Sequence, residues 1–439
     1  MRFVFLLVAT TMAHGQTGRD PNVVLEQARV RLQAMAQNLE RYVCVETVNR
    51  DYYRRVAPRE TAAFSEPPPA CGPSAGGGAA AGEPHQLEST DRVRLEVTVF
   101  QGTELHSWPG ATRFDERDVD ELIRNGPVST GAFGAYLDSV FSQPGVTYQY
   151  KGEQSANGKT LFDYAYRVPL EASRFEIKLA TAWRATAYEG EFRLDPQSLE
   201  LESLTVRTID LPSGAAFCQA AATLDYQSVH IGDSDVLLPL QSQLEIQLKG
   251  GSETRNVTTF SNCREYQAES EIVFDDSANT GSAAPQSGSR GRVALPIGLP
   301  VTLALDGSID TATAAAGDPV VAKLVKAVRR PGSNEELIPA GALVHGRIRR
   351  VEHHLLPTPY FRVVLSFNRV DVHGVVSPFV VRSEPEKELA RKLGANLELR
   401  DTGIWYWGVG TFLFPTNKSG MVIPAGFESK WFTLATGGR

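Results

Sequence analysis

The sequence predicts a mainly β protein with an N-terminal helix, a central antiparallel curved sheet (a half-barrel) with short helices, and a small C-terminal β-barrel or sandwich. Apolar and polar residues alternate through most of residues 92–274, which is the pattern of strands with one buried face. From residue 293 onward, short apolar runs are separated by glycine and proline turns. Only one long segment, near the N-terminus, has apolar residues at helical spacing.

The composition is that of a globular protein without a concentrated basic face. The chain has 439 residues, of which 42% are hydrophobic, and this is enough for two or three domains with ordinary cores. Its 44 basic and 51 acidic residues are intermixed and give a net charge of −7. Because nucleic-acid-binding proteins cluster their positive charge, we expect no nucleic-acid partner.

Residues 1–15 are predicted to be a signal peptide. Arg2 supplies a positive start, Phe3–Met12 is apolar, and Ala13-His14-Gly15 has the small residues of a cleavage site. The apolar run is too short to span a bilayer of roughly 30 Å, and a buried N-terminal strand is the alternative. Since no later stretch approaches the 18 apolar residues of a membrane-spanning helix, we expect an exported chain without a transmembrane helix. Its location would be periplasmic, associated with the outer envelope, or extracellular.

The four cysteines are Cys44, Cys71, Cys218 and Cys263. In an oxidising compartment an even number of cysteines predicts two disulfides, and four cysteines allow three pairings. We favour Cys44–Cys71 and Cys218–Cys263, because each pair falls within one proposed structural unit. Free buried thiols are the alternative.

Residues 16–64 are predicted to form the N-terminal helix and the first strand. Asp20-Pro21 has the residue types of a helix start, with Asp as the cap and Pro at the first helical position. The residues that then recur at helical spacing are Leu25, Ala28, Leu32, Met35 and Leu39. We interpret this stripe as covering a sheet of its own domain, although a membrane or partner face has the same pattern. A strand follows at Tyr42–Val48.

The rest of the chain divides by composition. The predicted segments are a Pro/Gly/Ala-rich loop at 65–87, an antiparallel half-barrel-like domain at 88–274, a flexible linker at 275–292 and a C-terminal β-barrel-like domain at 293–439. The predicted short helices lie near 119–125, 131–141 and 384–393. Gly394 is expected to end the last of them, since glycine commonly terminates helices.

Part of the C-terminal domain resembles a known family. The segment Gly317–Ala322 reads GDPVVA, and Leu337–Gly346 reads LIPAGALVHG. These segments look like the strand and tight turn of the β-barrel domain in TrbI-type core components of conjugative secretion channels. The resemblance covers Leu299–Gly374 and implies a small barrel, with a structural role in an envelope secretion or surface complex as one functional alternative. Members of that family also carry an N-terminal membrane helix and a Pro-rich stalk, and we expect neither in this chain.

The central region resembles lipoprotein carriers of the LolA kind. Phe192–Leu199, with the sequence FRLDPQSL, looks like their strand and turn, and Ser261–Tyr266 is similar to a late strand. In such proteins a curved antiparallel sheet, plugged by helices, holds acyl chains. The resemblance therefore implies a lipid or another hydrophobic ligand as the partner. The whole arrangement is also similar to uncharacterised exported bacterial proteins.

No catalytic motif is found, and we predict no catalytic residue, cofactor or metal site. The sequence lacks the G-x-S-x-G, S-x-x-K, H-E-x-x-H and phosphate-loop patterns. His353 and His354 are adjacent in a strand and would therefore point to opposite faces, away from a common metal. His345 shares its strand face with Arg347, which suggests solvent. We expect these histidines, like His373, to lie in loops or at the surface.

The most unusual local feature is Trp405-Tyr406-Trp407, followed by Phe412 and Phe414. It is either a ligand or membrane-interface patch, since Trp and Tyr suit amphipathic boundaries, or part of the core. The sequence thus favours an exported, non-enzymatic cell-envelope protein that binds a hydrophobic ligand or a protein partner. An exported hydrolase with dispersed acidic site residues is the alternative outside the binding proteins.

Overall fold

The computed structural model describes most of the chain. The described residues are 18–56, 71, 85–111, 114, 119–123, 126–128, 130–156, 158–179, 182–265, 295–384, 386–395 and 408–435. The predicted signal peptide (1–15), the linker (275–292) and most of the 65–87 loop lie outside them.

Helices are few among the described residues and strands are many. The helices are α1 (Pro21–Asn38), α2 (Val119–Leu122), α3 (Ala135–Phe141) and α4 (Lys387–Leu393), with 3₁₀ turns at Leu39–Arg41 and Leu170–Ala172. The strands of the first part of the chain are β1 (Tyr42–Arg55), β2 (His85–Phe100), β3 (Thr103–Ser107), β4 (Thr147–Ala156), β5 (Lys159–Val168), β6 (Glu176–Leu179), β7 (Ala182–Ala185), β8 (Ala187–Leu194), β9 (Leu201–Ile209), β10 (Phe217–Ile231), β11 (Ser234–Leu248) and β12 (Glu253–Glu265).

The remaining strands lie beyond residue 295. They are β13 (Pro300–Leu305), β14 (Ile309–Asp310), β15 (Pro319–Leu324), β16 (Val328–Arg329), β17 (Glu336–Ile338), β18 (Leu343–His354), β19 (Tyr360–Val372), β20 (Val375–Pro378), β21 (Val381–Arg382), β22 (Val409–Pro415), β23 (Val422–Ile423) and β24 (Glu428–Thr433).

The N-terminal helix begins where its capping residues predict. The Asp20 carboxylate accepts a 2.8 Å hydrogen bond from the backbone N–H of Asn22, and Pro21 occupies the first turn. The side chains of α1 that are buried are Val24, Leu25, Ala28, Leu32 and Ala36. They lie on one side of the helix and pack into the core of the central sheet, so α1 covers its own domain as expected.

The central sheet is antiparallel throughout. Its strand order, read from the pairings, is β3-β2-β1-β12-β11-β10-β9-β8-β5-β4. The first strand, β1, therefore lies between β2 and the last central strand, β12. This places the N-terminal strand in the middle of one half of the sheet, where it gains hydrogen bonds on both edges.

The C-terminal strands continue the same sheet through β2. On its outer edge β2 pairs with β3 near one end and with β18 near the other, where Glu352 lies opposite Asp91. Between these two partners, Ala316 exchanges 2.8 Å backbone hydrogen bonds with Arg92 and Arg94. One strand thus serves both predicted domains, and its outer edge is paired by segments of both.

The mainly β class and the curved antiparallel sheet are confirmed, while a closed barrel is not formed by the described strands. The C-terminal strands pack their own core, centred on Phe367, Phe379 and Trp431. The last predicted helix is confirmed as α4, and Gly394 ends it with a left-handed φ of 66°. No described helix combines the length and the apolar character needed to cross a bilayer.

The structure contains two disulfides, but the favoured pairing is wrong. The bonds are Cys44–Cys263 and Cys71–Cys218. Cys44 is on β1 and Cys263 on the neighbouring β12, where a register shift between Val43 and Val45 sets the two strands locally out of step. The Cys44–Cys263 bond forms because β1 and β12 are neighbours in the sheet although they are far apart in the sequence. Proximity along the chain therefore does not predict this pairing.

Candidate functional site

The concave face of the central sheet has an aromatic lining. On it Phe192 of β8 stacks on Tyr164 of β5 with ring centroids 5.1 Å apart. Phe141 of α3 meets Phe192 edge to face, also at 5.1 Å. Strand alternation aims these rings at the same side, so neighbouring strands together build a continuous apolar surface. Such a surface, with a few polar groups, is the composition of sites that bind small apolar molecules.

Helix α1 covers this surface and is held by a small number of polar contacts. Gln33 donates a 2.8 Å hydrogen bond from Nε2 to the backbone oxygen of Phe141, at the end of α3. Tyr164 donates from its hydroxyl to the backbone oxygen of Pro21 at 2.7 Å. Arg31 donates to the backbone oxygen of Ser198 at 2.7 Å. Apart from such contacts, α1 is bound to the sheet through its apolar stripe.

A buried polar group lies on the same concave face, beside α3. His106 of β3 and Glu46 of β1 form an ion pair of 3.2 Å, and both side chains are almost fully buried. Glu104 of β3 accepts hydrogen bonds from the backbone N–H groups of Gly131 at 2.6 Å and Gly134 at 2.9 Å. These N–H groups precede α3, so the carboxylate fixes the start of that helix against the sheet.

The protonation of this group is shifted by its surroundings. Burial, the largest effect, raises the pKa of the Glu104 carboxyl, although His106 and the hydrogen bond from Gly131 act in the opposite direction. Burial disfavours the charged form of His106, but its hydrogen bond with Glu46 and the charges of Glu46 and Glu104 outweigh it and raise its pKa. Clusters of buried groups with shifted pKa values are common at functional sites and also occur in structural networks.

Tyr226 of β10 adds a polar atom to the concave interior. Its hydroxyl is buried and has no hydrogen-bond partner among the described residues. Burial raises its pKa, as do the nearby Glu104 and Tyr136. A buried hydroxyl of this kind can donate to a ligand oxygen, so it is one of the few polar groups with which the apolar surface could orient a bound molecule.

Two carboxylates near the junction of the two predicted domains have structural roles. Asp318 forms an ion pair with Arg94 and accepts a 2.9 Å hydrogen bond from the backbone N–H of Ala315. Asp310 accepts a 2.9 Å hydrogen bond from the backbone N–H of Ala312. Both side chains line a polar cleft of about 370 Å³. Their hydrogen bonds to backbone N–H groups stabilise the loop between β14 and β15. Asp310 and Asp318 thus have structural partners. Glycoside hydrolysis would require one carboxyl group as a general acid and another as a base or nucleophile, and these contacts do not indicate such roles.

The predicted interface patch cannot be placed, because Trp405, Tyr406 and Trp407 lie outside the described residues. The aromatic residues that follow it are described and belong to the C-terminal core. The rings of Phe412 and Phe414 lie 5.7 and 5.8 Å from that of Phe427. Phe412 and Phe414 are half-buried and pack against the C-terminal core.

The paired histidines point to opposite faces of β18. His354 lies 3.1 Å from Glu352 and stacks on Tyr360. His353 stacks on Phe361 with ring centroids 4.2 Å apart. Because they diverge, they cannot serve one ion, and the described residues contain no group of three or more His, Cys, Asp or Glu side chains arranged to hold a metal. His345 is half-buried and His373 is exposed in the turn after β19.

The sequence interpretation missed Glu46, Glu104 and His106. The alternation of side chains along β1 was the available signal. Cys44, Glu46 and Val48 are two residues apart and share one face of the strand, so Glu46 lies on the buried face. His106 lies opposite Val97, which in turn lies opposite Cys44, so all three share that face. A charged residue in the apolar phase of a strand predicts a buried polar group with a partner.

Comparison with known proteins gives similar structures but no family. No protein-family model and no curated protein matches the chain. A DUF1329 family protein from Desulfovibrio piger is 12% identical, with a TM-score of 0.27, and the match covers 59% of this chain and 99% of that one. A LolA superfamily protein from Nitrosomonas europaea is 9% identical, with a TM-score of 0.24, over 54% of this chain and 94% of that one.

A secretion protein is also among the similar structures. ComB10 of the Com type IV secretion system of Helicobacter pylori is 14% identical, with a TM-score of 0.18, and the match covers 33% of this chain and 90% of that one. Structures of both kinds that the sequence motifs resemble, LolA-like and secretion-channel proteins, are thus among the matches.

Proposed function

We propose that this protein is an exported, non-enzymatic cell-envelope protein that binds an apolar ligand, such as a lipid acyl chain, on the concave face of its central sheet. The observation that carries the proposal is the aromatic, apolar concave face covered by one amphipathic helix, α1. The two disulfides support an oxidising compartment outside the cytosol.

The ligand would exchange with the apolar stripe of α1. In the structure the stripe fills the concave side through Leu25, Ala28 and Leu32. An acyl chain that replaces these side chains restores the burial of the sheet surface, and the apolar area of the chain that becomes buried offsets the area that α1 exposes. What the exchange loses is the set of polar contacts of α1, including the hydrogen bond from Gln33 to Phe141. The buried hydroxyl of Tyr226 offers a donor to an oxygen of the ligand.

The first experiment identifies what the native protein carries. Protein purified from its own envelope without detergent is extracted, and the extract is analysed by mass spectrometry for lipids. We expect a stoichiometric lipid or another apolar molecule. An extract without any apolar molecule, together with turnover of a glycan or peptide library by the same preparation, would reject carriage and favour the exported hydrolase.

A variant pair then tests the route of entry. Gln33→Ala removes the shortest hydrogen bond from α1 to the backbone oxygen of Phe141, to which Arg29 also donates at 3.4 Å. At about 1 kcal/mol for such a bond, the variant should strengthen binding of a fluorescent fatty acid about fivefold by loosening α1. Gln27→Ala is the matched control, because Gln27 is exposed on the same helix. Fluorescence titration of delipidated protein measures both. Equal affinities in the two variants would show that α1 does not gate the concave face.

A further inference from the structure

A second, polar pocket lies where the two predicted domains join. It has a volume of about 260 Å³. Its floor is the outer face of the shared sheet, where Asp51 of β1 lies opposite Thr90 of β2 and Thr90 lies opposite His353 of β18. Residues directly opposite each other on neighbouring strands share a face, so these three side chains form one row across the junction. The segment Thr311–Ala312 and Ser419 close the other side.

The pocket offers both acceptors and donors. The Asp51 carboxylate is half-buried and makes no hydrogen bond or ion pair with another described side chain. Arg92 donates from Nε to Asn49 at 2.6 Å and from one terminal nitrogen to the backbone oxygen of Ala312 at 2.5 Å, and its other terminal nitrogen has no partner among the described residues. An acceptor and a donor with remaining capacity therefore line the same small space.

The charges of the pocket select against simple ions. A simple ion is attracted by one of Asp51 and Arg92 and repelled by the other, whereas a neutral molecule with several hydroxyl groups can hydrogen-bond to both. Burial, with the neighbouring His354, lowers the pKa of His353, which keeps its ring neutral at pH 7. A hydroxyl group both donates and accepts, and it can therefore satisfy Asp51 and Arg92 in turn as well as the hydroxyls of Thr90 and Ser419.

The size of the pocket limits the ligand further. Sites for drug-sized molecules have volumes of roughly 300–1,000 Å³, and this pocket is smaller. We propose that the junction pocket binds a neutral hydroxylated molecule of the size of one sugar residue, free or at the end of a glycan. The site is separate from the concave face, since Asp51, Thr90 and Arg92 lie on the face of β1 and β2 opposite to that of Glu46 and Val97.

Saturation-transfer NMR on the full-length oxidised protein tests this proposal. The probes are glucose, galactose, N-acetylglucosamine and their methyl glycosides, with glycine as a zwitterion and inorganic phosphate as an anion. We expect transfer to at least one sugar and none to glycine or phosphate. Ser419→Tyr, which fills the exposed rim, should abolish the transfer, whereas Ser234→Tyr at the exposed tip between β10 and β11 should leave it unchanged.

A second variant tests the role assigned to the carboxylate. Asp51→Asn should raise the dissociation constant of the bound sugar about tenfold, since hydrogen bonds to a charged acceptor are stronger than those to a neutral amide. Asp233→Asn, at an exposed position between β10 and β11, is the control and should have no effect. Transfer to none of the sugars, equal transfer in wild type and Ser419→Tyr, or preferential binding of glycine or phosphate would each overturn the proposal. Binding of the fluorescent fatty acid by Ser419→Tyr should be normal, so failure here leaves apolar carriage unaffected.

Discussion

At the scale of single residues, the buried group of Glu46, Glu104 and His106 links stability to pH. The pKa of His106 is higher in the folded protein than its ordinary value of 6.5. The folded protein therefore binds the His106 proton more tightly than the unfolded chain does. This contribution to the free energy of unfolding is fully present below about pH 6.5 and is lost as the pH rises through the pKa of the folded state. The raised pKa of Glu104 acts in the same direction, from about pH 4.5 upward.

His106→Gln should therefore flatten the pH dependence of stability. We expect the free energy of unfolding of the wild type, measured by urea denaturation, to fall between pH 6 and pH 9, and we expect a smaller fall in the variant. His230→Gln is the control, since the side chain of His230 is 70% exposed at the end of β10. The comparison concerns slopes, so a general loss of stability in His106→Gln does not affect it. Identical slopes in the two variants would contradict the assignment.

Residue-level prediction from the sequence succeeded where the cause is local. Asp20 and Pro21 start α1, and Gly394 ends α4, because capping depends on a few neighbouring residues. The roles of Glu46 and His106 depend on which strand lies next to which. Their place in the apolar phase of their strands could have been noticed, but their mutual contact could not, because it requires the order β1-β2-β3 in space.

At the scale of elements, a disulfide links β1 and β12, which are the first and last strands of the central sheet in sequence order. Cys44 and Cys263 are 219 residues apart, so their bond greatly restricts the unfolded chain. Replacing both by Ala should lower the free energy of unfolding by about 2–5 kcal/mol. Chemical denaturation of the variant and the wild type under non-reducing conditions measures the difference.

Peptide mapping without reduction provides the corresponding check on connectivity. We expect one linked peptide pair containing Cys44 and Cys263 and another containing Cys71 and Cys218. A peptide pair linking Cys44 to Cys71 would contradict the bond between Cys44 and Cys263 on the neighbouring strand β12. The sequence predicted that two bonds exist, but their pairing depends on β12 returning to β1, which no local pattern encodes.

At the scale of the whole molecule, the shared strand β2 raises the question of how independent the two predicted domains are. The division at residues 275–292 stays a prediction, because that segment lies outside the described residues. The strands on either side of it nevertheless meet in one sheet, where Glu352 of β18 lies opposite Asp91 of β2. Asp91 in turn forms a buried ion pair of 2.6 Å with Arg50 of β1. Buried charges therefore run across the junction from β1 to β18.

This arrangement predicts that a single substitution weakens both sides of the junction. Asp91→Asn removes the carboxylate that neutralises the buried guanidinium of Arg50, and breaking such a pair costs about 3–5 kcal/mol. Hydrogen-exchange mass spectrometry should then show reduced protection in β1 and in β18 alike, with no change in Asp233→Asn. Replacing both partners, as Arg50→Met with Asp91→Leu, should restore much of the protection, because no charge then remains unpaired. Reduced protection confined to β1 would mean that the C-terminal strands fold as an independent unit, and the shared sheet would then be a contact between two domains with separate stabilities.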